Sequence, residues 1–219
     1  MSRKKIAVFG CSWSQGLKRL DNFDNWVKHL AKKRPEHDFY NFGCSGTSIV
    51  YHAYLLDSIT RREDFDNIIF QVTSPGRYTW WKPHNLNELK ERQDNNYWAM
   101  PKWYGKKYVE KITFGDMEKG ALDNDKKKQK FATEYYKRLS RDQMEIEFKV
   151  YLEFVKARSD LVFFHRKGLQ EGDLSVHSTL GDDKFHSFAY DDGGHFGVEG
   201  NQWTANWVND HLIKKGVLI

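Results

Sequence analysis

The stretch IAVFGCSWSQG, residues 6–16, decides the fold and contains the first candidate catalytic residue. Four apolar residues run directly into a glycine, which is typical of a buried strand that ends in a tight turn. Ser12 stands in that turn, and a second glycine follows at position 16. In parallel α/β sheets, ligands bind at the carboxyl ends of the strands. The stretch therefore predicts an α/β fold with a serine at its ligand-binding edge.

Helical and strand patterns alternate along the rest of the chain. The predicted strands are apolar runs, and they cover residues 6–9, 38–42, 68–72 and 161–164. The predicted helices have apolar residues at helical spacing, and they cover residues 24–33, 47–61, 127–158 and 198–214. Residues 172–190 show no sustained period and are expected to be irregular. The alternation predicts a parallel sheet covered by helices on both faces, a three-layer α/β/α sandwich.

Length and composition favour one domain over residues 1–219. Of these residues 39% are hydrophobic and 30% charged, enough for one full core. No apolar stretch approaches the roughly 20 residues of a membrane span. The basic residues 1–5 precede only four apolar residues, too few for a signal peptide. We expect a cytoplasmic protein without membrane attachment, or one released without a signal peptide.

The cysteines argue against a metal site, and the net charge argues only weakly for nucleic-acid binding. Cys11 and Cys44 each follow a glycine at a predicted strand end, so the thiols would lie close together if the strands are neighbours. We interpret them as buried thiols in a reducing compartment, and neither has a second ligand at zinc-like spacing. No metal or organic cofactor is predicted. The net charge of +5 includes lysine runs typical of solvated faces, with a nucleic-acid surface as the less favoured alternative.

An aromatic and basic segment interrupts the alternation at about residues 78–125. Tryptophan and tyrosine residues stand there among lysine, arginine and asparagine, and the segment is too long for a simple connector. Two interpretations stay open. The segment is either a satellite subdomain with its own small aromatic core or a lid that faces a substrate.

A second candidate motif, DGGH at residues 192–195, precedes the last predicted helix. His195 stands in a glycine-rich loop, and Asp192 would accept a hydrogen bond from one of its ring nitrogens. The other nitrogen would take the proton of the Ser12 hydroxyl and make it a nucleophile. Asp191 is the alternative orienting carboxylate. A helix cap at Ser12 and a solvated surface turn at His195 are the structural alternatives.

The combined motifs resemble those of the SGNH, or GDSL-type, hydrolases. The resemblance rests on GCS (residues 10–12) at the first strand, NFGCSGT (residues 41–47) after the second and DGGH (residues 192–195) before the last helix. It covers roughly residues 6–76 and 161–219 and leaves out the aromatic segment.

The resemblance implies a flavodoxin-like sheet and a serine hydrolase mechanism without metal or organic cofactor. Ser12 would be the nucleophile, His195 the general base and then acid, and Asp192 the residue that orients the imidazole. The N–H groups of Ser12 and Gly46 would hold the oxyanion.

The sequence departs from the family at the third motif, where the family reads Gly-x-Asn-Asp. Here QVTSPGR (residues 71–77) has a proline at the position of the asparagine that donates to the oxyanion. Losing one such donor costs about 100-fold or more in rate. Thr73, Gln71 or Arg77 would then compensate in substrate binding. Arg77 favours a substrate with a carboxylate or phosphate, and an ordinary surface salt bridge is its alternative.

The expected activity is hydrolysis of an ester. An O-acetyl or other short acyl ester on a carbohydrate-like substrate is the leading expectation, by resemblance to the family's carbohydrate esterases and because aromatic side chains stack on sugars. The main alternative is a binding protein on the same scaffold, with little or no catalysis, that recognises a glycan, a nucleic acid or a protein. A lipid or thioester hydrolase is less favoured because the aromatic segment is rich in lysine and arginine.

Overall fold

The computed structural model describes most of the strands and helices of the chain. The described residues are 3–16, 24–44, 48–73, 78–81, 92–99, 109–112, 130, 134, 141–169, 172–188 and 195–218. The strands are β1 (Lys5–Phe9), β2 (Asp38–Asn41), β3 (Asn67–Val72), β4 (Tyr78–Trp81), β5 (Arg92–Asp94), β6 (Tyr97–Ala99), β7 (Val109–Ile112) and β8 (Leu161–Phe164). The helices are α1 (Ser12–Gln15), α2 (Trp26–Lys33), α3 (Ile49–Thr60), α4 (Arg141–Lys156), α5 (Val176–Leu180), α6 (Asp182–Ser187) and α7 (Val198–Lys214).

The central sheet has six strands in the order β5-β6-β2-β1-β3-β8. Five of them run parallel, and β5 pairs with β6 in the antiparallel direction. The four strands predicted from the sequence are β2, β1, β3 and β8, and they are neighbours in that order. Numbered along the chain this is the order 2-1-3-4, which is typical of flavodoxin-like sheets. The predicted α/β fold with a parallel sheet is confirmed.

Helices cover both faces of this sheet, which completes the three layers. Alternate residues of β1 belong to two different buried clusters, with Ile6 and Val8 in the first and Ala7 and Phe9 in the second. Residues of α2 and α7 complete the first cluster, and residues of α3 and α4 complete the second. Because both faces are buried, β1 is a continuous apolar run rather than an alternating one.

Capping side chains explain why two helices begin later than predicted. The side chain of Asn25 accepts a hydrogen bond from the N–H of Lys28, and that of Ser48 accepts one from Tyr51. A cap residue has extended backbone and lies just outside the helix. α2 and α3 therefore begin after these residues, two positions later than the apolar spacing indicates.

The prediction that residues 172–190 are irregular is wrong. α5 and α6 occupy most of the segment, and Gly181 separates them with a φ of +76°. Ser175 caps α5, while Val176 and Phe185 are buried in the first cluster. Each helix has at most six residues, so neither is long enough to show a helical period in the sequence.

Part of the aromatic segment extends the central sheet. β6 pairs with β2, and the side-chain nitrogen of Asn96 lies within 3.0 Å of the carbonyl oxygens of Ala31, Arg34 and His37 at the end of α2. β4 and β7 form a separate antiparallel pair. The two sequence-based interpretations of this segment, satellite subdomain or lid, do not include strands in the central sheet. Its other residues lie outside the described part of the chain.

The long helix predicted over residues 127–158 corresponds to α4. Residues 127–140 lie outside the described part of the chain, except for Lys130 and Glu134, which are helical. Among the described helices, none combines the length and the apolar character that a membrane crossing requires.

Candidate active site

Ser12 begins a single helical turn at the carboxyl end of β1. The N–H groups of Ser14 and Gln15 both donate to the carbonyl oxygen of Cys11 at 3.0 Å, which closes the turn. Cys11 occupies the cap position, and its side chain makes no capping hydrogen bond. Ser12 is therefore not a helix cap, and only 5% of its surface is exposed. We call residues 10–16 the nucleophile turn.

Gln71, at the end of β3, forms hydrogen bonds with the nucleophile turn. Its Oε1 accepts hydrogen bonds from the N–H of Cys11 at 3.2 Å, from the Cys11 thiol at 3.4 Å and from the Ser14 hydroxyl at 3.2 Å. Its side-chain nitrogen donates to the carbonyl oxygen of Val72. The side chain is 1% exposed. This supporting role was not anticipated from the sequence, and the predicted contact of Gln71 with substrate stays a prediction.

The buried side chains of Trp26 and Asn41 also form hydrogen bonds with the nucleophile turn. The Ser14 hydroxyl accepts a hydrogen bond from Nε1 of Trp26, and the Ser14 carbonyl accepts one from Nδ2 of Asn41 at 2.7 Å. The same Nδ2 donates to the Tyr97 phenol at 2.9 Å, and Asn41 Oδ1 accepts from the N–H of Gly43 at 2.8 Å. The nucleophile turn is thus hydrogen-bonded to side chains from α2 and β2, and through Asn41 to β6.

Gly43 allows the backbone after β2 to approach the nucleophile turn closely. A Cβ there would lie 2.7 Å from the backbone nitrogen of Gln15 and 2.9 Å from the backbone carbon of Ser14. Gly43→Ala is expected to lower the free energy of unfolding by about 1–3 kcal/mol because backbone atoms must move to admit the methyl group. Urea unfolding measures this, and a midpoint equal to that of the wild type would contradict the close approach.

The loop before α7 places His195 directly against Ser12. The His195 Nε2 and the Ser12 Oγ are 2.7 Å apart, although the two residues are 183 positions apart in the chain. A proton can pass between atoms held at about 2.6–3.2 Å. The two residues that the motifs selected from opposite ends of the chain therefore meet at the carboxyl edge of the sheet.

Other predicted site residues are only partly described. Thr73 directly follows β3 and is 1% exposed. Asp192, Gly46, Arg77 and the alternative carboxylate Asp191 lie outside the described residues, so their roles stay predictions. Within the described residues, no three His, Cys, Asp or Glu side chains are grouped so that they could hold a metal ion.

Cys11 and Cys44 are both buried, and neither forms a disulfide bond. The N–H of Cys44 donates to the carbonyl oxygen of Gly10 at 2.7 Å, so the backbones are neighbours as expected. Cys11 packs in the first cluster and Cys44 in the second, on opposite faces of the sheet. The side chains therefore pack in different clusters, and the expectation that the thiols lie close together stays a prediction.

Sequence reasoning missed two residues beside the site, Trp13 and His165. The Trp13 ring lies 3.6 Å from the ring of His165 and 5.0 Å from that of His195, measured between centroids. Complete burial, and secondarily the charge of a protonated His195, holds the pKa of His165 well below its usual range. His165 is therefore a neutral imidazole at neutral pH. Its position directly after β8, at the same sheet edge, was the available signal.

Comparisons with known proteins do not show to which family the chain belongs. No family model matches it. No curated protein matches it either. A solved structure from Desulfitobacterium hafniense DCB-2, of a "putative lipolytic protein of G-D-S-L family", is similar over 99% of this chain and 100% of its own. The TM-score is 0.44 and the sequence identity 11%, too low to assign a family or an activity. The chemistry therefore has to be inferred from the residues of the site.

Proposed function

We propose that the protein is a serine hydrolase that cleaves an ester bond, with Ser12 as the nucleophile and His195 as the general base. The 2.7 Å distance between His195 Nε2 and Ser12 Oγ carries the proposal. A serine hydroxyl is a weak nucleophile at neutral pH and reacts readily only when a base removes its proton during attack. The turn that holds Ser12 is fixed by buried hydrogen bonds, so the hydroxyl is positioned before substrate binds.

The proposed reaction has two halves. Ser12 Oγ attacks the ester carbonyl carbon while its proton passes to Nε2 of His195, and the imidazolium then gives that proton to the departing alcohol. In the second half, a water molecule loses a proton to His195 and attacks the acyl carbon, which releases the carboxylic acid and restores the Ser12 hydroxyl. Asp192 would accept a hydrogen bond from the other ring nitrogen and stabilise the imidazolium.

Backbone N–H groups would stabilise the negative charge on the carbonyl oxygen. The N–H of Ser12, at the first turn of α1, would be one such donor. Gly46 would supply a second donor. Residues 71–77 lack the asparagine that the SGNH hydrolases have in their third motif. Thr73 or Arg77 would supply the remaining contact to substrate. Each donor of this kind contributes about 100-fold in rate or more.

The proposed substrate is an O-acetyl or other short acyl ester on a carbohydrate-like compound. The aromatic composition of residues 78–125 supports this choice because flat rings stack on sugar faces. The proline in the third motif favours a second candidate, a catalytically weak protein that binds a glycan, a nucleic acid or a protein through the same segment.

A fluorophosphonate probe separates the two candidates. We expect the adduct, mapped by mass spectrometry of the peptide, on Ser12 and not on Ser14, because Ser14 is buried and hydrogen-bonded to Gln71 and Trp26. Hydrolysis of p-nitrophenyl acetate should accompany labelling and fall for longer acyl chains. Absence of both adduct and hydrolysis, together with binding of an oligosaccharide or nucleic acid, would reject the hydrolase and favour the binding protein.

A further inference from the structure

We propose that Trp13 is a positioning residue for His195. Its indole ring packs against the imidazole ring and stabilises the protonated form of His195. This inference rests on the proposed function, because the protonated form arises when His195 takes the Ser12 proton. It adds a residue to the site that the motifs do not contain.

Each member of the Ser12–His195 pair is followed by a buried aromatic residue, and these two pack on each other. The rings of Trp13 and Phe196 meet edge to face, with centroids 5.1 Å apart and an interplanar angle of 87°. Trp13 is 8% exposed and Phe196 1% exposed. The contact ties the backbone beside the nucleophile to the backbone beside the base, so it favours the short distance between their reacting atoms.

His165 fills the space beside the other two rings. Its ring lies 3.6 Å from that of Trp13 at 27°, and 4.7 Å from that of Phe196. It is 2% exposed, and neither ring nitrogen has a hydrogen-bond partner in the described part of the chain. Its contacts there are therefore made by the ring faces and edges. We call Trp13, His165 and Phe196 the aromatic brace.

The brace is itself fixed against α7. A Cβ on Gly200 would lie 2.6 Å from Cγ of Phe196, so the Phe196 ring lies directly against the helix backbone. Interdigitated packing of this kind leaves little room for ring movement. Trp13, which packs on Phe196, is therefore held in place before His195 changes its charge.

The change in charge on His195 makes the indole contact stronger during the reaction. A cation within about 6 Å of a tryptophan face is attracted by the electron-rich ring. The His195 centroid is 5.0 Å from the Trp13 ring, at an interplanar angle of 33°. The imidazole is neutral before attack and positive after it takes the proton, so the attraction favours the transition state over the resting state.

The remaining charged groups near the brace are compatible with this arrangement. Among the described groups, His195, Arg166 and His177 act electrostatically on His165, and the Ser12 hydroxyl contacts His195. His177 is paired with Asp182 at 2.9 Å, and burial lowers the pKa of both His177 and His165. His165 therefore does not place a second positive charge on the same indole.

Replacement of Trp13 tests the inference without requiring turnover. We expect the NMR titration midpoint of the His195 ring, assigned by the signal that is lost in His195→Gln, to move to lower pH in Trp13→Leu. Trp13→Phe should show a smaller change, because phenylalanine attracts cations less strongly than tryptophan. Trp207→Leu is the matched control, since Trp207 is 7% exposed in the same cluster and packs on Phe163 and His211 instead. An unchanged midpoint in folded Trp13→Leu, or in Trp13→Phe if the leucine variant does not fold, would overturn the proposal.

The rate of labelling by a fluorophosphonate probe is a second test of the role of Trp13. Trp13→Leu should label about tenfold more slowly than the wild type, and Trp207→Leu at nearly the wild-type rate. If labelling is slowed equally in both variants, Trp13 contributes only to core packing, which would contradict the proposal. If the wild type is not labelled at all, the hydrolase function fails, while the titration still decides whether Trp13 stabilises the charged His195.

Discussion

Ser12→Ala is expected to lower kcat/KM for p-nitrophenyl acetate by about 10⁴-fold or more. The reason is that the Ser12 hydroxyl is the group hydrogen-bonded to Nε2 of His195 in the described site. The substitution removes one oxygen and leaves the hydrogen bonds of the nucleophile turn in place, because Gln71 binds Cys11 and Ser14 and not Ser12. The thermal unfolding midpoint should therefore change little.

Ser14→Ala is the matched control for this experiment. Ser14 is 0% exposed, and its hydroxyl exchanges hydrogen bonds with Gln71 and Trp26. Its loss should cost about 1–3 kcal/mol of stability through unsatisfied buried partners, while hydrolysis stays within about tenfold of the wild type. A Ser12→Ala variant that retains hydrolysis, or a Ser14→Ala variant that loses it entirely while folded, would contradict the assignment of the nucleophile.

Gln71→Leu is expected to lower the free energy of unfolding by about 2–4 kcal/mol, the largest change in stability among these substitutions. The substitution keeps an apolar side chain of similar length and removes Oε1, the shared acceptor for the Cys11 N–H, the Cys11 thiol and the Ser14 hydroxyl. Each donor is then left buried without that acceptor, and water cannot replace it at a position only 1% exposed. Urea unfolding followed by tryptophan fluorescence measures the change.

Gln202→Leu provides the comparison for Gln71. Gln202 lies on α7 with an exposed side chain, so the same chemical change should alter stability by no more than about 0.5 kcal/mol. Gln71→Leu should also slow labelling of Ser12, since the nucleophile turn loses its support. Equal unfolding midpoints for the two leucine variants would show that Gln71 does not hold the turn.

The main elements of the fold are predictable from the sequence because they bury continuous or periodic apolar faces. β1 is an uninterrupted apolar run between helix-covered faces, and α7 begins and ends at the residues that the pattern indicates. α5 and α6 are too short to repeat a pattern, and they depend on the Ser175 cap and on burial of Phe185. The placement of β6 beside β2 depends on long-range hydrogen bonds, to which apolar periodicity is insensitive.

Some residues of the candidate site could likewise be predicted from the sequence, and others could not. Ser12 and His195 could be predicted because their residue types and their positions at strand and helix ends suit one chemistry. The roles of Trp13 and His165 could not, since a ring–ring contact across the first cluster depends on loop paths that no spacing records. For Gln71 the structure adds a role that the sequence did not indicate, and its predicted contact with substrate stays a prediction. A polar residue at a strand end was predicted to contact substrate, and the structure places its carbonyl oxygen on the backbone and side chains of the nucleophile turn.

The position of Tyr97 has a consequence for protein engineering. Its phenol accepts hydrogen bonds from Asn25, which begins α2, and from Asn41, which binds the Ser14 carbonyl. Excising residues 78–125 to obtain a minimal domain would therefore remove an acceptor for two buried amides as well as the edge of the sheet. Loss of activity in such a deletion would report damage to the scaffold rather than a role in recognition. Surface substitutions that leave Asn96 and Tyr97 in place are the means to measure what the segment binds.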